Sequence, residues 1–242
     1  MSSLYLLSDL DDPQDGQTVT VTGAEARHAV TVNRLRVGET TSVGNGKGLV
    51  ATGTVVDAGG AQFSIRVATV HRVPLSTPAL WLAQALAKGG RDELAIQAAT
   101  ELGVDGVIPW AAGRSVVRWE GAKASKGPER WGTIVREAAK QSVRSWLPEV
   151  HPLVSTAGLA GLASSKRMLV LEPTATAQLS GIALDDRDLV LVVGPEGGIA
   201  PTELAQLEEV GAVAVRLGDT VLRTSTAGPA AIAVLNARLD RW

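Results

Sequence analysis

LVLVVGPEGGIAPTEL, residues 189–204, decides how the chain is read. Leu189 to Val193 is a short, continuous apolar run, the pattern of a strand buried on both faces. Gly194-Pro195-Glu196-Gly197-Gly198 breaks it, and a helix is expected from Pro201 onward. A glycine turn between strand and helix often cradles a phosphate. The requirements of the known cradles are not met here. A P-loop needs a lysine behind its glycines; none follows, and Glu196 would repel a triphosphate. The dinucleotide spacing is broken by Pro195 and Glu196. A merely structural turn stays open, and the carboxylate in the middle of the loop needs a reason.

A second stretch has the same design. RLGDTVLRTSTAGPAAIAVL, residues 216–235, takes an apolar strand into Gly218, then into a loop with Arg223, then into an alanine-rich helix apolar almost all round. Two such loops at the carboxyl edge of a parallel sheet make a crevice, the favoured ligand position in this architecture. A ligand there would meet backbone amides, Glu196 and Arg223. That suits an adenosine with a carboxylate and a positive centre better than a chain of phosphates.

Working outward, residues 80–242 alternate strands and helices. Strands are expected at 79–86, in VDGVIPW, and at 166–172, 188–194 and 212–218. Helices are expected at 91–103, 129–146, 202–211 and 224–239. This is an α/β domain with a parallel sheet. Residues 1–73 read differently, as short β-branched runs separated by turn signals at Asn45-Gly46 and Gly59-Gly60, so a small β-barrel is expected. Residues 74–79, with Pro74 and Pro78, read as a linker.

Bulk properties narrow the function classes. The 242 residues carry a net charge of −2 and no cysteine, which excludes disulfides, thiolate chemistry and cysteine-ligated zinc. Three scattered histidines argue against a metal site. No apolar run is long enough to span a bilayer, and the acidic start MSSLYLLSDLDD argues against a secretory signal. The expectation is a cytoplasmic protein with no membrane and no metal partner. Between Arg114 and Arg144, eight basic residues stand against three acids. That excess could attract a polyanion or form a solvated charged face.

The paired loops resemble those of the SPOUT methyltransferases, and more closely the bacterial family that methylates N3 of a uridine in 16S ribosomal RNA (uridine 1498 in the usual rRNA numbering). HAVTVNRLRVGE (28–39) is similar to that family's PUA-like RNA-binding domain. KGGRDELAIQAATELGVDGVIPW (88–110), RSVV (114–117) and RWGTIVREAAKQSVRSWLPEV (130–150) resemble its middle motifs. The resemblance implies a C-terminal trefoil knot, S-adenosyl-L-methionine as cofactor, 16S rRNA of the small ribosomal subunit as substrate, and a homodimer formed through helix 224–239. It places cofactor contacts at Leu171, Glu172, Gly194, Pro195, Glu196, Gly197, Gly198, Leu217, Gly218, Leu222, Arg223, Thr224, Ser225 and Ala227. RNA contacts fall at His28, Arg34, Arg36, Lys88, Arg91 and Arg114. Arg223 is the first catalytic candidate, for the uracil oxygens, with an ion pair to Glu196 or Glu172 as its alternative role. Gln141 and Arg144, in the family's QS-x-R element, are the second. Glu196 either faces a sulfonium or an arginine, or is a helix N-terminal acid. Thr220, Ser225 and Ala98 depart from residues common in the family, so the general base is unassigned. A non-catalytic RNA-binding assembly factor, and a SPOUT enzyme for another RNA, are the competing readings.

Overall fold

A computed structural model describes residues 4–242; Met1–Ser3, the start of the segment read above as lacking a secretory signal, lie outside them. The chain forms two compact units, 1–75 with 139–147, and 76–138 with 148–242.

The first unit is built on a five-stranded sheet of β1 (Leu4–Leu6), β2 (Thr18–Thr22), β3 (Thr40–Gly44), β4 (Leu49–Gly59) and β5 (Gln62–Arg72), in the order β1-β3-β4-β5-β2. Only β1 and β3 run parallel; the other pairs are antiparallel. The alternation in β2 buries Val19 and Val21 and exposes its threonines, as period-2 patterning requires. Tyr5, Phe63 and Ile65 fill the core with Ala26 and Ala29. The two alanines come from the short helix α1 (Gly23–Arg27) and the π-helical turn His28–Val32 that continues it.

The second unit carries a six-stranded sheet, parallel throughout, in the order β11-β9-β10-β6-β7-β8. Its strands are β6 (Leu80–Ala85), β7 (Gly106–Trp110), β8 (Glu149–Val150), β9 (Arg167–Leu171), β10 (Leu189–Val193) and β11 (Val213–Val215). All five residues of β10 and all five of β7 are buried, which explains their unbroken apolar runs. The helices are α2 (Arg91–Glu101), α3 (Lys123–Gln141), α4 (Thr156–Gly161), α5 (Pro201–Glu209) and α6 (Thr224–Arg238). Gly103, at φ +95°, follows α2 in the left-handed position glycine favours beyond a helix end.

Two elements differ from their expected bounds. The strand expected at 212–218 is shorter, Val213–Val215, and the rest turns into the loop leading to α6. The helix expected at 129–146 begins at Lys123 and ends at Gln141. Gly127-Pro128 looks like a helix start, but Gly127 is small for another reason: a Cβ there would lie 2.3 Å from the Trp119 ring. At the other end Val143 adopts φ +56°. The chain then bonds to the N-terminal strand pair, Gly48 N to Ser145 O at 2.9 Å and Leu147 N to Gly46 O at 2.9 Å. Residues 139–147 therefore belong to the first unit.

Candidate functional site

The second unit opens a cavity of about 320 Å³ at the carboxyl ends of β9, β10 and β11. Three segments meet there: Leu171–Pro173 after β9, Val193–Ile199 after β10, and Val215–Ala227 after β11. Of the residues assigned to the cofactor by resemblance, Leu171, Glu172, Gly194, Pro195, Glu196, Gly198, Leu217, Gly218, Leu222, Arg223, Thr224 and Ala227 line it together. Gly197 and Ser225 are not in the lining. Thr220 and Val221 join the wall from within the stretch 217–227, and Pro173, Val193, Ile199, Val215 and Arg216 from outside the assigned stretches. They flank the motifs by a residue or two, so reading the apolar strand ends as wall would have found them. Arg91, assigned to RNA, also lines the cavity, and no local signal in the sequence marks it for that place.

The loop shape follows from close packing. At Gly194 a Cβ would lie 2.7 Å from Ile199 Cγ1, so no side chain fits while Ile199 is seated in the core. Gly198 has φ +71°, a conformation costly for other residues. The Thr224 hydroxyl, at the start of α6, accepts from Gln84 Nε2 at 2.8 Å and donates to Gly194 O at 2.8 Å. One buried hydroxyl thus joins the ends of β6 and β10 to the last helix. Breaking such a buried bridge leaves two groups unpaired, at roughly 1–3 kcal/mol each.

Glu196 has its reason here. Its Oε1 accepts from Arg91 Nη1 at 3.1 Å and from the Lys88 amide at 3.1 Å. Gly89 and Gly90, at φ +65° and +69°, turn the chain so that both donors reach the same oxygen. The carboxylate therefore faces an arginine, one of the readings given above. Lys88 takes part through its backbone, and its residue is exposed. Glu172 accepts from Thr174 N and Oγ1, and Arg216 pairs with Asp219 at 3.0 Å. Arg223 is exposed and, among the described residues, forms no ion pair with Glu196 or Glu172. Behind Arg91, burial pushes the Asp92 carboxyl above its ordinary range, while the amides of Ala87 and Glu93 pull the other way.

Much of the basic stretch is engaged within the protein. Arg114 Nη1 donates to Gly197 O at 3.1 Å. Arg118 grips Ala112 O and Gly113 O at 2.9 and 3.0 Å. Arg130 pairs with Glu93, and Lys140 with Glu25; Arg136 and Arg144 also have partners. Several of these side chains brace loops while staying exposed. Gln141 is exposed, Arg144 is half-buried, and neither lines the cavity. His28, Arg34 and Arg36 are exposed on the first unit. Trp110 and Trp131 are buried, Trp119 stands edge-on to Trp131 at 5.4 Å, and Trp146 donates Nε1 to Val73 O.

Among the described residues there is no metal-binding cluster of acidic and histidine side chains, and no helix is long and apolar enough to cross a membrane. The profile of the RNA methyltransferase domain matches residues 74–236, and that of the RNA methyltransferase PUA domain matches 21–67. The ribosomal RNA small subunit methyltransferase E of Mycobacterium bovis is 44% identical over 95% of this chain and 90% of its own; that of Bacillus subtilis is 30% identical over 94% and 93%. The crystal structure of the Neisseria gonorrhoeae ribosomal RNA small subunit methyltransferase E bound to S-adenosyl methionine superposes with a TM-score of 0.87 at 29% identity, covering 98% of both chains. With this breadth of match, across both units and the cavity loops alike, the chain belongs to the ribosomal RNA small subunit methyltransferase E family.

Proposed function

We propose that the protein is an S-adenosylmethionine-dependent rRNA methyltransferase that modifies N3 of a uridine in 16S rRNA, uridine 1498 by family resemblance, acting in the cytoplasm on the small ribosomal subunit. The observation that carries this reading is the assembly of twelve resemblance-assigned residues from three chain segments around one cavity, in a chain of this family.

The residues fit the cofactor. Leu171, Val193, Ile199, Val215, Leu217 and Leu222 give an apolar wall suited to an adenine ring, while the glycine-rich turns bring main-chain groups to the rim. When bound, S-adenosylmethionine supplies an electrophilic methyl on a sulfonium. Uridine N3 carries a weakly acidic proton, and its loss places negative charge on O2 and O4. Arg223, at the cavity wall and without an anion partner among the described residues, is positioned to stabilise that charge. N3 lies on the Watson–Crick edge, so the base must be unpaired to react. His28, Arg34 and Arg36 would take phosphates through the N-terminal unit. Gln141 and Arg144 stay candidates for uridine or phosphate, and Lys88 and Arg114 for RNA. The departures Thr220, Ser225 and Ala98 leave the proton acceptor unassigned. A homodimer through α6, and the trefoil knot implied by the resemblance, belong to this proposal.

The test is 16S rRNA from a deletion strain, incubated with purified protein and labelled donor and then mapped by mass spectrometry. Methyl restored at uridine 1498 is expected. Rescue at another nucleotide would redirect the substrate, and absence of donor binding at millimolar concentration would favour a non-catalytic assembly factor.

A further inference from the structure

We infer that Arg91 and Glu196 form a subsite for a zwitterionic amino-acid end, with Arg91 taking the carboxylate and Glu196 the ammonium of the cavity's ligand. This rests on the reading of the cavity as the S-adenosylmethionine site, and it assigns Arg91 to the donor instead of to RNA.

Both side chains line the cavity, and both are only partly open to solvent, at 33% for Arg91 and 20% for Glu196. Their pairing is one-sided. Glu196 uses Oε1 for both of its bonds, to Arg91 Nη1 and to the Lys88 amide. Its Oε2 has no hydrogen-bond partner among the described residues. Arg91 commits Nη1 to Glu196, and its remaining N–H donors have no acceptor among the described residues. A guanidinium carries five donors in a fixed plane, so the arrangement leaves a donor edge and an acceptor oxygen side by side on the cavity wall.

A lone ammonium or a lone carboxylate would find one partner and one repulsive neighbour there. An α-amino acid carries both signs on one carbon and satisfies both at once. A half-desolvated charge is costly unless it is paired and hydrogen-bonded, so the pair discriminates in favour of the zwitterion. The other cations of the wall differ. Arg216 is tied to Asp219, and Arg223 has no carboxylate paired with it among the described residues, which suits an anion without an ammonium. The Lys88 amide bonds Glu196 independently of Arg91, so that bond is expected to remain when Arg91 is altered.

The test compares two nucleosides by calorimetry. S-adenosylhomocysteine carries the amino-acid end; 5′-methylthioadenosine lacks it. For Arg91→Met the expected result is S-adenosylhomocysteine bound at least tenfold more weakly, with 5′-methylthioadenosine within twofold of the unaltered protein. Glu196→Gln, which keeps the shape and loses the charge, is expected to show the same selectivity at about fivefold. Arg91→Lys should recover part of the loss. Retained methylthioadenosine binding itself reports an intact cavity in each variant. Equal weakening of both nucleosides would mean that the pair only shapes the loop, and unchanged binding of both would mean that it faces no ligand; either result overturns the inference. If the unaltered protein bound neither nucleoside, the cofactor reading beneath it would fall instead.

Discussion

The two edges of the parallel sheet use carboxylates in opposite ways. At the amino edge each acidic side chain of the network holds more than one partner. Asp188 accepts from the Ala79 amide at 2.9 Å and from Lys166 Nζ at 2.7 Å. Asp105 accepts from the Leu80 amide at 2.8 Å and from the Arg241 guanidinium at 3.1 Å. Asp185 ties Arg167 to Arg187. These bonds tie the strand beginnings to neighbouring chain. At the carboxyl edge, Glu196 is half-committed, Glu172 holds only its own turn, and Asp92 is buried against two amides. One edge uses its carboxylates for strand-to-strand ties, and at the other Glu196 keeps an oxygen turned to the cavity wall. The lesson is that the number of bonds to a charged group says less about function than whether any of its bonding capacity is left over.

The comparison breaks most readily at Asp105. Its side chain and that of Arg241 are 11% and 13% exposed. Asp105→Ala strands a buried cation and an amide and is expected to cost about 3 kcal/mol, read as a lower urea midpoint, with S-adenosylhomocysteine affinity within twofold. A loss of affinity matching the loss of stability would show that the two edges are not separable. Next in size, Gly194→Ala forces Ile199 to move and is expected to cost about 1–3 kcal/mol. Unlike Asp105→Ala, it should weaken the nucleoside at least tenfold by calorimetry.

The smallest effect sharpens the contrast through pH. Burial pushes the Asp188 carboxyl up, but Lys166 and the Ala79 amide outweigh it and hold it below the ordinary value of 3.8. Asp185 is likewise held down, chiefly by Arg187. A depressed carboxyl contributes stability that is present above the unfolded value and lost as pH falls through the folded one. Asp92 is shifted the other way, so its contribution is present at acid pH and lost as pH rises through its raised folded value. Asp188→Asn is expected to lower stability by about 0.5 kcal/mol at pH 7, a small figure because the pair is partly solvated. Its urea midpoint should then fall less than that of the unaltered protein between pH 5 and pH 3. An unchanged acid slope would remove Asp188 from the network.

What the sequence made legible was whatever rests on neighbouring residues. The run Leu189–Val193 names a buried strand because both of its faces are apolar, and the glycines behind it name a turn. The helix at 129–146 was misjudged at both ends because the deciding contacts lie elsewhere. Gly127 makes room for the Trp119 ring, and Ser145 and Leu147 bond to Gly48 and Gly46, about a hundred positions earlier. Periodicity cannot report such a partner. Arg91 escaped for the same reason: its anion, Glu196, is 105 residues away. In the basic stretch, charge counting does not say that Arg114 and Arg118 point at carbonyl oxygens.

The hydroxyl of Thr224 has a consequence in time. The crevice takes its last wall from β11, the loop behind it and the first turn of α6, all within the final thirty residues. While translation has yet to deliver that segment, the glycine loop lacks its clasp and there is no enclosure to hold a nucleoside. A polypeptide that stops short of β11 is thus expected to leave the nucleoside unbound, whatever the state of the rest of the sheet.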